Sequence, residues 1–232
     1  MTTCLKAFLS GLLILVYPAI GFGQLQTVHW HFGDSTSLHF TGDTVEAGAS
    51  GGMFASEGCA SISDNQGNLL FYSNGVTVWD ARHQVMSRGD SLEGSLSARQ
   101  GALIVPRPGC DSLYYLFIAD SLGEGYGLSY NLIDMRRNNG LGSVVEKNKQ
   151  LYTPTTERLA ATAHQNGRAY WVLSHQWNSG AFYAYPITRK GIGSPVISHS
   201  GINHSFTDQI LPAGTMKFSP NGAFAAININ TT

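Results

Sequence analysis

A four-residue turn recurs along this chain, and its spacing restricts the fold more than any other feature. Asp64-Asn-Gln-Gly67 precedes the run Leu69-Leu-Phe-Tyr72, and His164-Gln-Asn-Gly167 precedes Ala169-Tyr-Trp-Val172. Ser219-Pro-Asn-Gly222 precedes Phe224-Ala-Ala-Ile227, and Pro108-Gly-Cys-Asp111 stands at the matching place before Leu113-Tyr-Tyr-Leu116. Each turn ends in Gly or Asp, residues that tolerate the positive φ of a tight hairpin. Each also follows a short apolar run: Cys59-Ala-Ser-Ile62, Ala102-Leu-Ile-Val105, Leu159-Ala-Ala-Thr162 and Met216-Lys-Phe218. The last turn residues, 67, 111, 167 and 222, lie 44, 56 and 55 apart.

These runs are rich in β-branched and aromatic residues, which pack well on a pleated surface. A third strand is expected over 76–79, 127–133 and 182–187, and a fourth near 83–86, 143–145 and 195–198. Units of three or four antiparallel strands at this period are the signature of β-propeller blades. One small twisted sheet cannot bury both faces alone, whereas radial stacking buries them against one another. Phe71, Trp79, Tyr115, Trp171 and Tyr183 are the expected contacts between blades. A β-sandwich would explain the strands but not the repeated turns. The expected architecture is therefore all-β: a propeller-like repeat of four-stranded antiparallel blades, about three blades plus part of a fourth.

Composition narrows function by exclusion. Charged residues make up 12% of the chain, where an ordinary domain carries roughly 25%. Fourteen Lys and Arg face fifteen Asp and Glu, so the basic excess that nucleic acid demands is missing. At 43% hydrophobic residues the chain is not disordered. The 27 glycines suit a fold with many hairpins.

The first residues read as an address. Lys6 precedes the apolar run 7–20, and Gly21 and Gly23 occupy the −3 and −1 positions of a cut before Gln24. This order marks a secretory signal peptide over residues 1–23. The run is shorter than the roughly 20 apolar residues of a spanning helix, and no membrane span is expected after cleavage. The mature domain is then 24–232, secreted or carried to the cell surface through the periplasm, with Cys59 and Cys110 as its only cysteines. On the turn alignment these two lie about seven strand positions apart, more than about 20 Å, too far for a disulfide. Both are expected to be unpaired, with Cys59 buried.

Several stretches together resemble the N-terminal propeller-like region of large secreted surface proteins of gliding bacteria, of the gliding-motility and type IX secretion kind. They are Trp30-His-Phe-Gly33, Glu57-Gly-Cys-Ala-Ser-Ile-Ser-Asp64, Gly67-Asn-Leu-Leu-Phe-Tyr72, Gly75-Val-Thr-Val-Trp-Asp80, Ile104-Val-Pro-Arg-Pro108, Glu157-Arg-Leu159 and Lys217-Phe-Ser-Pro-Asn-Gly222. The resemblance covers nearly the whole mature chain. It implies a surface-displayed, often longer protein and no established chemistry. Because the pattern breaks off in the second strand of a unit, the domain is expected to be C-terminally truncated. The alternative is that the segments 28–32 and 38–40 complete that unit and close a small four-bladed ring.

No zinc, nucleotide or serine-hydrolase motif is present, and neither a cofactor nor a metal is expected. One positional pattern stands out. Glu57 and Glu157 each lie ten residues before a turn glycine, at the opening of a first strand. Loops between second and third strands reach the same end, and they carry Asn74, Asp120, Glu124, His175 and Trp177. These seven residues form the expected ligand-binding cup at the channel mouth, serving a non-catalytic module that binds a protein or a glycan. The alternative is a glycoside hydrolase or lyase using Glu57 and Glu157, since such enzymes need two carboxylates about 5–10 Å apart. A plainer role also remains, in which both glutamates accept backbone N–H bonds from neighbouring blades. His29 and His31, on one strand face, are expected to be structural or at the surface.

Overall fold

A computed structural model describes residues 25–121, 125–205, 207 and 210–231. The expected signal peptide and Glu124 lie outside the described residues. The fold is all-β, in five antiparallel sheets that follow one another along the chain. The first holds β1 (His29–Phe32), β2 (Thr36–Thr41) and β3 (Thr44–Ala47); the second holds β4 (Ala60–Ser63), β5 (Leu69–Ser73) and β6 (Val78–Asp80). The third runs through β7 (Ala102–Pro106), β8 (Leu113–Ala119), β9 (Leu128–Asp134) and β10 (Ser143–Tyr152). The fourth comprises β11 (Thr155–Ala163), β12 (Tyr170–Gln176), β13 (Ser179–Thr188), β14 (Gly191–Ile192) and β15 (Val196–His204). β16 (Met216–Phe218) and β17 (Ala225–Ile227) make the fifth. No helix among the described residues is long and apolar enough to cross a membrane.

Turn chemistry builds the hairpins. Gly67, Gly167 and Gly222 take the left-handed conformation at the end of their turns, with φ of 87°, 64° and 68°. Each donates its N–H to the carbonyl three residues back. The second unit is set one residue differently. There the left-handed residue is Gly109, and Cys110 N–H bonds Arg107 O, so the turn is 107–110 and Asp111 plays no such part.

The sheets are not uniformly four-stranded: they hold three, three, four, five and two strands. The strand expected near 83–86 is reduced to a single bridge between Trp79 and Val85. Asp80 is the cause. Its Oδ1 accepts Arg82 N–H and Gln84 N–H, and its carbonyl accepts His83 N–H, turning the chain back at once with His83 at φ 61°. In the fourth sheet, β14 and β15 both pair with β13, dividing one edge between them. The N-terminal strands form a sheet of their own rather than completing the last one.

The third sheet is buried on both faces, and period-two alternation explains how. Tyr114, Leu116 and Ile118 join Ile62, Phe71 and Val78 in a core against the second sheet. Tyr115, Phe117 and Ala119 join Leu159, Val172 and Tyr185 in a core against the fourth. The run Leu113-Tyr-Tyr-Leu-Phe-Ile-Ala119 is continuously apolar because each alternate set has its own sheet to meet. A third cluster packs Met53 and Ala55 on Tyr72 and Trp79 of the second sheet.

First strands lie beside first strands. β4 sits against β1 and β7, and β11 against β7 and β16. The chain also approaches closely at Gly58, just before β4, whose N–H bonds Ala98 O. A Cβ there would run into Ala98 O and stand 2.7 Å from Gly101 N, both backbone atoms that cannot swing aside. Gly58→Ala should therefore destabilise by about 2 kcal/mol or more, lowering the urea midpoint at unchanged slope.

Candidate functional site

Antiparallel pairing brings the described cup residues to one end of their sheets. Ala60 lies opposite Ser73, Ala102 opposite Ile118 and Thr155 opposite Gln176. The second-to-third loops therefore return beside the openings of the first strands. At that end Arg99 links the two glutamates. Its Nε stands 3.8 Å from Glu57 Oε2, and its backbone N–H donates to Glu157 Oε2 over 3.1 Å. Glu157 N–H in turn bonds Pro212 O before β16. The two glutamates that the turn alignment matched are thus joined through Arg99, in the segment before β7.

Four of the six described cup residues are buried in the protein. Glu57 is partly exposed, whereas Glu157, Asn74, His175 and Trp177 are all buried. Asn74 holds its own turn: Oδ1 accepts Val76 N–H and Thr77 N–H, and Nδ2 donates to Phe54 O. Asp120 does the same, accepting Ser121 N–H and Tyr126 N–H. Trp177 N–H bonds Pro154 O, tying the end of β12 to the start of β11. His175 lies against His204, ring centroids 4.2 Å apart, and edge-on to Phe182 at 4.6 Å. Neither of its ring nitrogens has a hydrogen-bond partner, and burial with His204 beside it pushes its pKa down to about 3.

Two residues that the turn pattern did not single out hold the sheets together. Arg158 is fully buried, and its guanidinium donates to Leu211 O, Pro212 O, Ala213 O and Asn228 O. Burial lowers its pKa to about 10, leaving it charged at neutral pH. Gln100 mimics a strand: Oε1 accepts Met216 N–H at 2.6 Å and Nε2 donates to Met216 O at 3.0 Å. Neither carried a local sign: Arg158 follows the polar stretch Thr155-Thr-Glu157, and Gln100 follows Ser97-Ala-Arg99.

A concave site lies elsewhere, between the first two sheets. A cleft of about 780 Å³ is lined by His29, His31 and His39 on one wall and by Gln66, Gly67 and His83 on the other. That volume falls within the range of small-molecule sites. His29 and His39 face each other in the β1–β2 register and stack with ring centroids 4.1 Å apart and planes 5° from parallel. His31 stacks on Tyr72 at 4.0 Å, and Tyr72 stacks in turn on Trp79. Burial and neighbouring imidazoles push His29 down and His31 down to about 4. The sequence placed His29 and His31 on one strand face. The contributions of His39 and His83 depended on strand register and on the Asp80 turn.

Cys59 and Cys110 are free thiols. Cys59 is half-buried rather than fully buried, packed at the edge of the Tyr72–Trp79 cluster, and burial raises its pKa. Among the described residues, no three His, Cys, Asp or Glu side chains converge as a metal site would require. Compared with protein-family models, curated proteins and solved structures, the chain matches none.

Proposed function

We propose that this chain is an exported recognition module of the β-propeller type, binding a protein or a glycan at the cell surface as part of a larger secreted, motility-associated protein. The observation that carries the reading is the arrangement of five consecutive antiparallel sheets whose first strands lie side by side, the middle three stacked face to face through alternating apolar residues. Such a stack is a rigid frame, and rigid frames present loops and inter-sheet clefts to ligands. Fold alone does not assign a ligand. The enzymatic alternative draws less support. Glu157 is buried and accepts the Arg99 N–H, so its carboxylate does not face a glycosidic oxygen.

Export and binding are tested together. The full chain expressed in a bacterial host should leave the cytosol with Gln24 as its first residue, as read by intact mass. The purified mature chain should bind cell-envelope material saturably, with periodate or protease treatment of that material separating glycan from protein. Retention of Met1 in a cytosolic product counts against export. Sugar release that disappears in Glu57→Gln supports the hydrolase instead.

A further inference from the structure

We propose that the cleft between the first two sheets is a binding site for a neutral saccharide, recognised by imidazole edges rather than by charge. This rests on the recognition reading above and names its site and ligand class. Three properties of the cleft carry it.

The first is charge. No Lys or Arg lines the cleft, and Glu46 is the one fixed charge on its rim. An anionic ligand would find no fixed counter-charge there. A metal ion would need three convergent ligands, and the described residues supply no such group. Burial disfavours the charged form of both His29 and His31, helped at His29 by His39 and His83 and at His31 by His83 and His29.

The second is hydrogen-bonding character. His29 Nε2 lies 3.1 Å from Gly67 O, across the cleft. A carbonyl oxygen only accepts, so Nε2 carries the proton and Nδ1 presents a lone pair. Tyr72 Oη accepts Gly52 N–H at 3.2 Å and stands 3.1 Å from His83 Nδ1. With that hydroxyl donating to Nδ1, His83 Nε2 is left as a donor. His39 is held in β2 by the strand ladders on either side, and its ring stacks on His29. The cleft therefore offers both acceptors and donors, with the Gln66 amide adding one of each kind. Vicinal hydroxyls, each a donor and an acceptor, are the groups that such a lining satisfies; a purely apolar ligand would leave it unpaired.

The third is shape and stiffness. The His29–His39 and His31–Tyr72–Trp79 stacks lock the rings. Little side-chain entropy is then lost when a ligand arrives.

The test uses the purified mature chain with cellohexaose, maltohexaose and laminarihexaose as neutral probes and hexagalacturonate as the charged one. Imidazole ¹H–¹⁵N spectra and calorimetry follow binding at pH 7.5. At least one neutral hexasaccharide should shift the His29 and His39 resonances, and His39→Ala should weaken it at least tenfold. Lys190→Ala, exposed in the turn between β13 and β14, should leave the affinity unchanged. Neutral binding that survives His39→Ala overturns the cleft while leaving a glycan-binding module standing. Binding of hexagalacturonate alone overturns the neutral assignment. Saturable binding to a protein fraction with no response to any neutral probe at millimolar concentration overturns the saccharide reading but not the recognition reading. No binding to envelope material or to any probe overturns both.

Discussion

Replacing Arg158 with alanine is expected to lower the melting temperature by about 10 °C and to release the last hairpin from the rest of the molecule. The guanidinium is fully buried and reaches four backbone carbonyls in the segments 211–213 and 228. Hydrogen bonds from a charged donor contribute roughly 1.5–3 kcal/mol each, and a stranded buried carbonyl costs about 1–3 kcal/mol. These contributions are not additive, so a total of about 3–5 kcal/mol is the sensible scale. At roughly 2–4 °C per kcal/mol for a chain of this size, that gives the stated shift. The β16–β17 hairpin and the segment before it have few other ties: the Gln100 side chain on Met216, Glu157 N–H on Pro212 O, and packing against β11. Hydrogen exchange at Met216–Phe218 should therefore rise far more than at β8, which is buried on both faces. Arg158→Lys should rescue only part of the loss, because an ammonium cannot span the same fork of acceptors. A loss below about 1 kcal/mol, with Met216–Phe218 still protected, would refute the stapling role.

Acid should destabilise the fold well before its carboxylates titrate. His175 is wholly buried without a hydrogen-bond partner, and its folded pKa lies near 3 against 6.5 for an exposed imidazole. His204 from β15 and Arg158 from β11 face it, and both disfavour a second positive charge. The unfolded chain thus binds a proton below about pH 6.5 that the folded chain refuses until about pH 3. Stability is full above that window and falls as pH drops through it, by about 1.4 kcal/mol per pH unit for each such histidine. His31, held near 4, adds to the same slope over a narrower range. Urea midpoints measured between pH 7 and pH 4 should fall steeply. His175→Phe, a ring of similar size beside Phe182, should flatten the curve even if it changes stability at pH 7. A flat profile for the unaltered chain would contradict the burial of an unpaired imidazole.

The two predictions act at different levels of legibility. The hairpins could be read residue by residue, because Gly67, Gly167 and Gly222 satisfy a local backbone demand that no distant contact alters. At the second unit, two residues in one turn could each supply the left-handed conformation, and Gly109 does so at lower steric cost than Asp111. Strand counts were less legible. A single carboxylate, Asp80, collapses an expected strand by offering the backbone a closer partner than a ladder would. Arg158, Gln100 and the histidine cleft were hidden for a different reason. Each is made by residues brought together from separate sheets, Gln100 and Met216 being 116 positions apart.

From its residues alone, then, the chain dictates β-structure, the place of the recurring hairpin turns and the alternation that lets β8 serve two cores, since these depend on interactions between near neighbours. The distribution of its polar side chains is settled only by packing. Whether Glu157 faces solvent or an Arg99 amide, and whether His29 meets His39, depends on how one sheet lies on the next. That stacking is a sum of many weak apolar contacts, which no short motif records. The turn that recurs along the chain therefore specifies the units, and their burial against one another selects which residues remain free to meet a ligand.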